Sequence, residues 1–506
     1  MGKLRGFLEI HRSGDHKRNP ASRLRDYEHV LQPLPVAGLR DQGARCMDCG
    51  VPFCHEGCPL GNLIPDWNDL VYRDRWREAL DQLHATNNFP ELTGQICPAP
   101  CESACVLDIN DDPVTIKDIE LAIVNRGFEE GWIVASPPEE RTGKCVAVVG
   151  SGPAGMAVAA ELNKVGHSVT VFERDEALGG LNRFGVPDFK LEKWVIDRRI
   201  ALLEEEGVEW RTGVDVGVDI SAGQMLAGYQ AVVLATGARV QRDLEAPGRE
   251  LDGVHFAMDY LYARNRWVAR HERGEGESPV GDEEITAESK HVIVIGGGDT
   301  GMDCIANAHR EGPESVSLFD TYAPVPEGGR YPDSPWPMSP RRTTKTYALE
   351  EGGERRWHTS VLELIGEDGR VTHARVIEVD DQRRPVPGTE FTVPADLVLL
   401  AIGFTRPEHT GLVEQLGLAV EESGTILADQ QDYATSVDGV FVAGDARRGA
   451  SLTVWAITEG RRCAKAVDRH LAGGGEAELD RVMIDETAGS VGLEAGPPGD
   501  AVTPVG

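Results

Sequence analysis

Cys145-Val146-Ala147-Val148-Val149-Gly150-Ser151-Gly152-Pro153-Ala154-Gly155 reads as a short apolar strand running into a glycine turn and the start of a helix. The helix continues to about Val165 and a second strand runs from Val169 to Glu173, which completes a βαβ unit. Gly150, Gly152 and Gly155, with Pro153 and Ala154 among them, let backbone amides approach a pyrophosphate at the positive end of the helix. Glu173 closes the second strand about 20 residues past the turn, where a carboxylate can hold ribose hydroxyls. Strand, turn, helix, strand and acid agree on a dinucleotide site.

The same grammar returns at His291. A strand to Ile295 leads into Gly296-Gly297-Gly298-Asp299-Thr300-Gly301, a helix to about His309 and a strand from Ser315 to Asp320. Two such units imply two nucleotide domains in an α/β protein. Asp320 stands where an acid pairs with a free 2′-hydroxyl and repels a 2′-phosphate, which favours NADH. Arg341, Arg342 and Lys345 follow it and could fold back on a phosphate, or simply be solvated, so NADPH stays open.

Gly179-Gly180, Ala235-Thr236-Gly237 and Val442-Ala443-Gly444-Asp445 resemble the flavin disulfide-reductase superfamily. That resemblance gives the first site to FAD, with Gly180, Thr236, Gly237, Gly444 and Asp445 around it. A helix near Ser451 to Gly460, with Thr453 at its start, would point its positive end at the flavin ring. The second site then takes NAD(P)H. Because the closing flavin motif comes last, the nicotinamide domain is expected as an insertion in the FAD domain, crossing near Ala238 and Gly403.

Seven of the ten cysteines fall between residues 46 and 105, as Cys46, Cys49, Cys54 and Cys58 and then Cys97, Cys101 and Cys105. Such spacings, with Cys-Pro steps at Cys58-Pro59 and Cys97-Pro98, suit iron–sulfur ligation. Zinc also uses C-x2-C pairs, but redox-active iron fits a chain with flavin and nicotinamide sites better. Two [4Fe–4S] clusters need one ligand more than these seven. Glu120, on a mostly apolar helix after Cys105, could supply it, and could equally be a solvated helix residue. Cys145, Cys304 and Cys463 read as core residues.

The domain plan is a helical iron–sulfur domain over 1–143, FAD domain over 144–240 and 404–472, NAD(P)H domain over 241–403, and a tail over 473–506 with little fixed structure. Residues 1 to about 45 read as an extended lead-in broken by Pro33 and Pro35. Helical periodicity runs from Ile64 to Leu83 and from Val114 to Gly131. A charged stretch from His271 to Ser289 reads as an exposed excursion. The net charge of −32 repels nucleic acid. No apolar run is long enough for a membrane span, and the start lacks a signal-peptide stretch. A cytoplasmic protein with reduced thiols is expected.

Arg45-Cys46-Met47-Asp48-Cys49-Gly50-Val51-Pro52-Phe53-Cys54-His55, Thr86-Asn87-Asn88-Phe89-Pro90-Glu91 and Gly185-Val186-Pro187-Asp188-Phe189-Lys190-Leu191 closely resemble the small (β) subunit of bacterial glutamate synthase. Related electron-input modules occur in dihydropyrimidine dehydrogenase and in NAD(P)H:ferredoxin oxidoreductases. The resemblance implies interleaved ligands. Cys46, Cys49, Cys54 and Cys105 would hold one cluster, and Cys58, Cys97 and Cys101 plus a non-cysteine ligand the other. It also implies an NAD(P)H-dependent flavin iron–sulfur enzyme in a hetero-oligomer. Its large (α) subunit would carry the glutaminase centre, FMN and a [3Fe–4S] cluster, and make glutamate from glutamine and 2-oxoglutarate. Hydride transfer to a flavin needs positioning and a tuned ring more than proton shuttles, so no catalytic acid or base is expected on this chain. The rival readings are a stand-alone oxidoreductase that feeds ferredoxin or polysulfide, and a binding module whose sites have decayed.

Overall fold

The apolar strand Cys145–Val149 is buried from Val146 onward and takes the centre of a five-stranded parallel sheet. Its order is Val440–Val442, Ala231–Leu234, Cys145–Val149, Ser168–Phe172, Glu209–Arg211. A near-continuous apolar run in each inner strand is what a parallel sheet covered on both faces requires. The edge strand Val440–Val442 returns from far along the chain, so the flavin-type sheet is closed only after a second domain has been inserted. The computed structural model describes residues 2–14, 16–271, 273–274, 285–324, 326, 334–339, 347–473 and 477–483.

The inserted domain repeats the plan. Its parallel sheet has the order Val254–Phe256, Leu397–Leu400, His291–Ile295, Ser315–Phe319, Glu354–Arg356. Here the edge strand that mirrors Val440–Val442 comes first in the chain instead of last. An antiparallel meander, Thr359–Glu367, Arg370–Glu378 and Phe391–Pro394, covers one face. The outgoing and returning chains pair as Val240–Gln241 with Phe404–Arg406, close to the crossing points expected from the sequence.

The cysteine region is helical, with Val36–Ala44, Ile64–Tyr72, Trp76–Thr86, Pro90–Ile96 and Ile116–Glu129 as its longer elements. One apolar core runs from Leu60, Trp67 and Ile119 into the flavin domain at Met156, Ile457 and Val467, so the two are packed as one body. The periodic run Ile64 to Leu83 is helical as expected, in two helices parted where Asp74 takes φ +64°. Two expectations need correction. The lead-in is partly helical: Pro35 caps a helix, its carbonyl accepting from the Leu39 N–H at 3.0 Å, and Val36–Ala44 packs on Ile64–Tyr72. The tail holds a short helix, Glu478–Val482, whose Leu479 is fully buried and donates its N–H to Asp468 at 2.8 Å. The rest of that tail beyond Met483, and most of the charged excursion (272 and 275–284), lie outside the described residues.

The lead-in also acts as a strap. Arg23 is fully buried and pairs at 2.9 Å with Glu351 of the inserted domain, which is bound from its other side by Arg310 at 2.7 Å. Val30 donates its N–H to the carbonyl of Phe189 in the flavin domain at 2.9 Å. Among the described residues no helix is long and apolar enough to cross a membrane.

Candidate functional site

The first glycine turn borders a cleft with about 1330 Å³ of empty space. Gly150, Gly152, Pro153, Ala154, Glu173, Gly180, Thr236, Gly237, Asp445 and Thr453 all line it. Gly155 and Gly444, expected beside them, stand behind the wall. A Cβ on Gly155 would fall 1.9 Å from the Gly150 carbonyl oxygen, and one on Gly444 would meet the Ala154 methyl at 2.8 Å. Gly150 needs its φ of +104° and sits against the Ala235 carbonyl, whereas a Cβ on Gly152 would meet no protein atom within 4 Å. That open space is what a closely held phosphate needs.

Glu173 is buried and fixed. Its Oε2 accepts from the Ser151 N–H at 3.0 Å and the Ser151 hydroxyl at 2.6 Å, and its Oε1 from the Asp175 N–H at 2.9 Å. All three donors are neutral N–H or O–H groups. Burial pushes the Asp445 carboxyl up to about 6, although the Ser451 hydroxyl donates to it at 2.6 Å. Helix Thr453–Leu471 opens on this cleft, bringing its positive end there. Asn182 also lines the cleft, and its Nδ2 is buried without a partner among the described residues, a donor that a bound group would satisfy. The sequence reading missed Ser151, Asn182, Arg239 and Tyr262. Ser151 alone had a signal, its place inside the fingerprint.

The second turn is built alike. Gly296 has φ +107° against the Ala401 carbonyl, Gly301 packs on Gly296, and Gly298 faces open space at the head of helix Asp299–Glu311, which begins with Asp299 and Thr300. Asp320 ends its strand as expected but is not alone: Arg355 Nη2 lies 2.7 Å from its Oδ2. Arg341, Arg342 and Lys345 lie outside the described residues.

The cysteines surround two neighbouring cavities. Cys46, Cys49, Cys54 and Cys105 line one of about 370 Å³, and Cys58, Cys97, Cys101 and Glu120 line one of about 330 Å³. Ile64 and Ile116 wall both. The seven cysteines thus divide between the two, four beside the first and three beside the second. Burial pushes the Cys46 thiol up to about 11 and raises Cys54, Cys97, Cys101 and Cys105. Lone thiolates are costly there, and iron would repay that cost by binding the deprotonated form.

Glu120 is no solvated residue. Only 5% exposed, it accepts from Thr93 Oγ1 at 2.7 Å and Asn87 Nδ2 at 2.8 Å, both on its Oε1, while burial pushes its carboxyl up to about 7. The Asn87-Asn88-Phe89-Pro90-Glu91 string thus has a physical reason. Asn87 holds Glu120, Asn88 donates to Glu161 of the flavin domain at 2.9 Å, and Glu91 pairs with Arg199 at 2.5 Å.

The flavin-type cleft and the Glu120 cavity share a wall. Thr453 and Ala456 line the first, and Val454, between them, lines the second.

Residues 144–460 match the family described as "Pyridine nucleotide-disulphide oxidoreductase", and residues 23–132 match "Dihydropyrimidine dehydrogenase domain II, 4Fe-4S cluster". A "Glutamate synthase [NADPH] small chain" from Mycobacterium tuberculosis is 52% identical over 473 residues, covering 92% of this chain and 96% of its own. A "Glutamate synthase [NADH]" from Schizosaccharomyces pombe is 43% identical over 94% of this chain, which spans 23% of that longer protein. Among solved structures, Mycobacterium tuberculosis FprA in complex with NADPH superposes with a TM-score of 0.51 at 17% identity, over 68% of this chain and 90% of that one, a likeness of fold.

Proposed function

Since the chain belongs to the family of glutamate synthase small chains, with a pyridine nucleotide-disulphide oxidoreductase body, we propose that it is the electron-input subunit of glutamate synthase. In this reading it oxidises NAD(P)H and delivers the electrons to a large partner subunit. That partner carries FMN and a [3Fe–4S] cluster and makes glutamate from glutamine and 2-oxoglutarate. The observation that carries the reading is the shared wall at Thr453, Val454 and Ala456. Neighbouring residues of one helix line a dinucleotide cleft and a cysteine-lined cavity.

Bound FAD would supply the step from hydride to single electrons, which two [4Fe–4S] clusters then accept. The chain's own residues do the rest. Gly150 to Gly155 and the helix behind them cradle the pyrophosphate, Glu173 holds the ribose, and Asp445 and Thr453 stand at the head of the second helix. Cys58, Cys97, Cys101 and Glu120 would hold the cluster near the flavin, and Cys46, Cys49, Cys54 and Cys105 the other. Trp67, Ile64 and Ile116 keep water from the cavities. The domain limits 1–143, 144–240, 241–403 and 404–472 and a cytoplasmic setting belong to the same reading.

Native anaerobic purification from the protein's own cells tests it. The expected result is a co-eluting large chain, glutamine- and 2-oxoglutarate-dependent oxidation of NAD(P)H, and about eleven iron atoms per pair of large and small chains, eight of them on the small chain. Oxidation only with added dyes or ferredoxin, with glutamine without effect and no large chain bound, would establish a stand-alone oxidoreductase instead.

A further inference from the structure

We propose that helix Ile64–Tyr72 donates one hydrogen bond to each of two iron–sulfur clusters and so raises the reduction potential of both. Asn68 Nδ2 serves the cluster beside Cys46, Cys49, Cys54 and Cys105, and Trp67 Nε1 the cluster beside Cys58, Cys97 and Cys101. The inference rests on the reading that each cavity holds a cluster.

The helix stands between the two cavities, and Ile64 in its first turn walls both. Successive residues of an α-helix point about 100° apart, so neighbours can face different spaces. Trp67 lines the Glu120 cavity, and Asn68, the next residue, lines the other. Both are fully buried. A buried polar group is normally paired, yet the Trp67 indole nitrogen and both polar atoms of the Asn68 amide have no hydrogen-bond partner. Among the described residues, no other side chain lining either cavity keeps a buried nitrogen or oxygen without a partner. Of the other polar side chains there, Thr93 donates to Glu120 at 2.7 Å and Asn62 accepts from Thr86 at 2.6 Å.

An orphaned donor alone marks no site, since Trp210 holds one without lining either cavity. Here two consecutive residues hold one each, and each faces a different set of cysteines. Other indoles of the region show the usual outcome. Trp76 donates to Asp74 at 2.8 Å, and Trp336 to the Cys105 carbonyl at 3.1 Å.

Thiolate and sulfide sulfurs accept hydrogen bonds, so an indole N–H suits them, and the amide would turn Nδ2 to them instead of Oδ1. Asn68 lies beside Cys46, where it opposes the upward push of burial on the thiol. Added electron density collects on the sulfurs, and a donor aimed at them therefore holds the reduced form more tightly than the oxidised one. Neither side chain is a ligand. Both are positioning residues that act through the field they present to the sulfurs.

Redox titration followed by EPR on the natively purified complex tests this, with Asn68→Leu and Trp67→Phe as variants that keep most of the bulk and lose the donor. Each should make one centre about tenfold harder to reduce at a fixed potential, which is a midpoint about 59 mV more negative for a one-electron couple. The two variants should move different centres, each leaving the other in place. Unmoved midpoints, or one and the same centre moved by both variants, would overturn the proposal. Should a variant lose its iron, the wild-type complex answers through nitrogen-isotope labels. Pulsed EPR should then show a nitrogen coupling to one reduced centre from labelled tryptophan indoles and to the other from labelled asparagine amides, and silence from both labels sinks the idea equally. Iron content separates the two failures. Fewer than about eight irons on the small chain removes the two-cluster reading itself, whereas eight irons with unmoved midpoints removes only the donors.

Discussion

The two dinucleotide sites of this chain share a sheet order, a glycine turn and an acid at the end of the second strand, yet their acids are held in opposite ways. Ser151 holds Glu173 through neutral donors, and Arg355 forms an ion pair with Asp320. A fold therefore places a carboxylate, but the residue beside the turn decides what charge the ligand meets. The same residue type in the same position is not the same site.

The largest effects should come from the turns themselves. Gly155→Ala drives a methyl to 1.9 Å from the Gly150 carbonyl, and Gly301→Ala does the same at 2.1 Å from Gly296. Backbone cannot yield there, so each should cost about 1–3 kcal/mol in overpacking and abolish its own ligand. Gly155→Ala should purify without FAD, while Gly301→Ala should keep FAD and lose nucleotide binding, as flavin absorbance and calorimetry would report. If Gly301→Ala also strips FAD, the sites are not independent.

A smaller effect distinguishes the two holders. Ser151→Gly removes the hydroxyl that donates to Glu173 at 2.6 Å and accepts from the Gly179 N–H at 3.0 Å. FAD affinity should fall by about 1–2 kcal/mol, measured by flavin release on dilution. Thr453→Val should matter least. Its hydroxyl reaches Asn182 only at 3.4 Å, so the loss should stay below about 1 kcal/mol in thermal unfolding. A larger drop would mean that Thr453 carries a contact to the bound group.

Both βαβ units were legible because a strand, a glycine turn and a helix each leave a local signature. The cysteine spacing was legible for the same reason. What failed was long-range or short. Asp74 breaks a helix inside an unbroken apolar period because both halves bury their stripes, Val71 with Trp76, Leu80 and Leu83, in one core. Arg355 sits on a three-residue edge strand, Glu354–Arg356, too short to show a pattern. Glu120 could be noticed but not decided, because its donors Asn87 and Thr93 come from another helix and the loop before it. In the lead-in, Arg23 looks like any surface arginine until its partner Glu351 is brought to it by the fold.

That strap fixes an order of manufacture. Arg23 leaves the ribosome long before Glu351 exists, and a buried guanidinium without its carboxylate is strongly unfavourable. The Arg23 end of the strap can therefore dock only after residue 351 has been made, later than the Val30 end that binds Phe189.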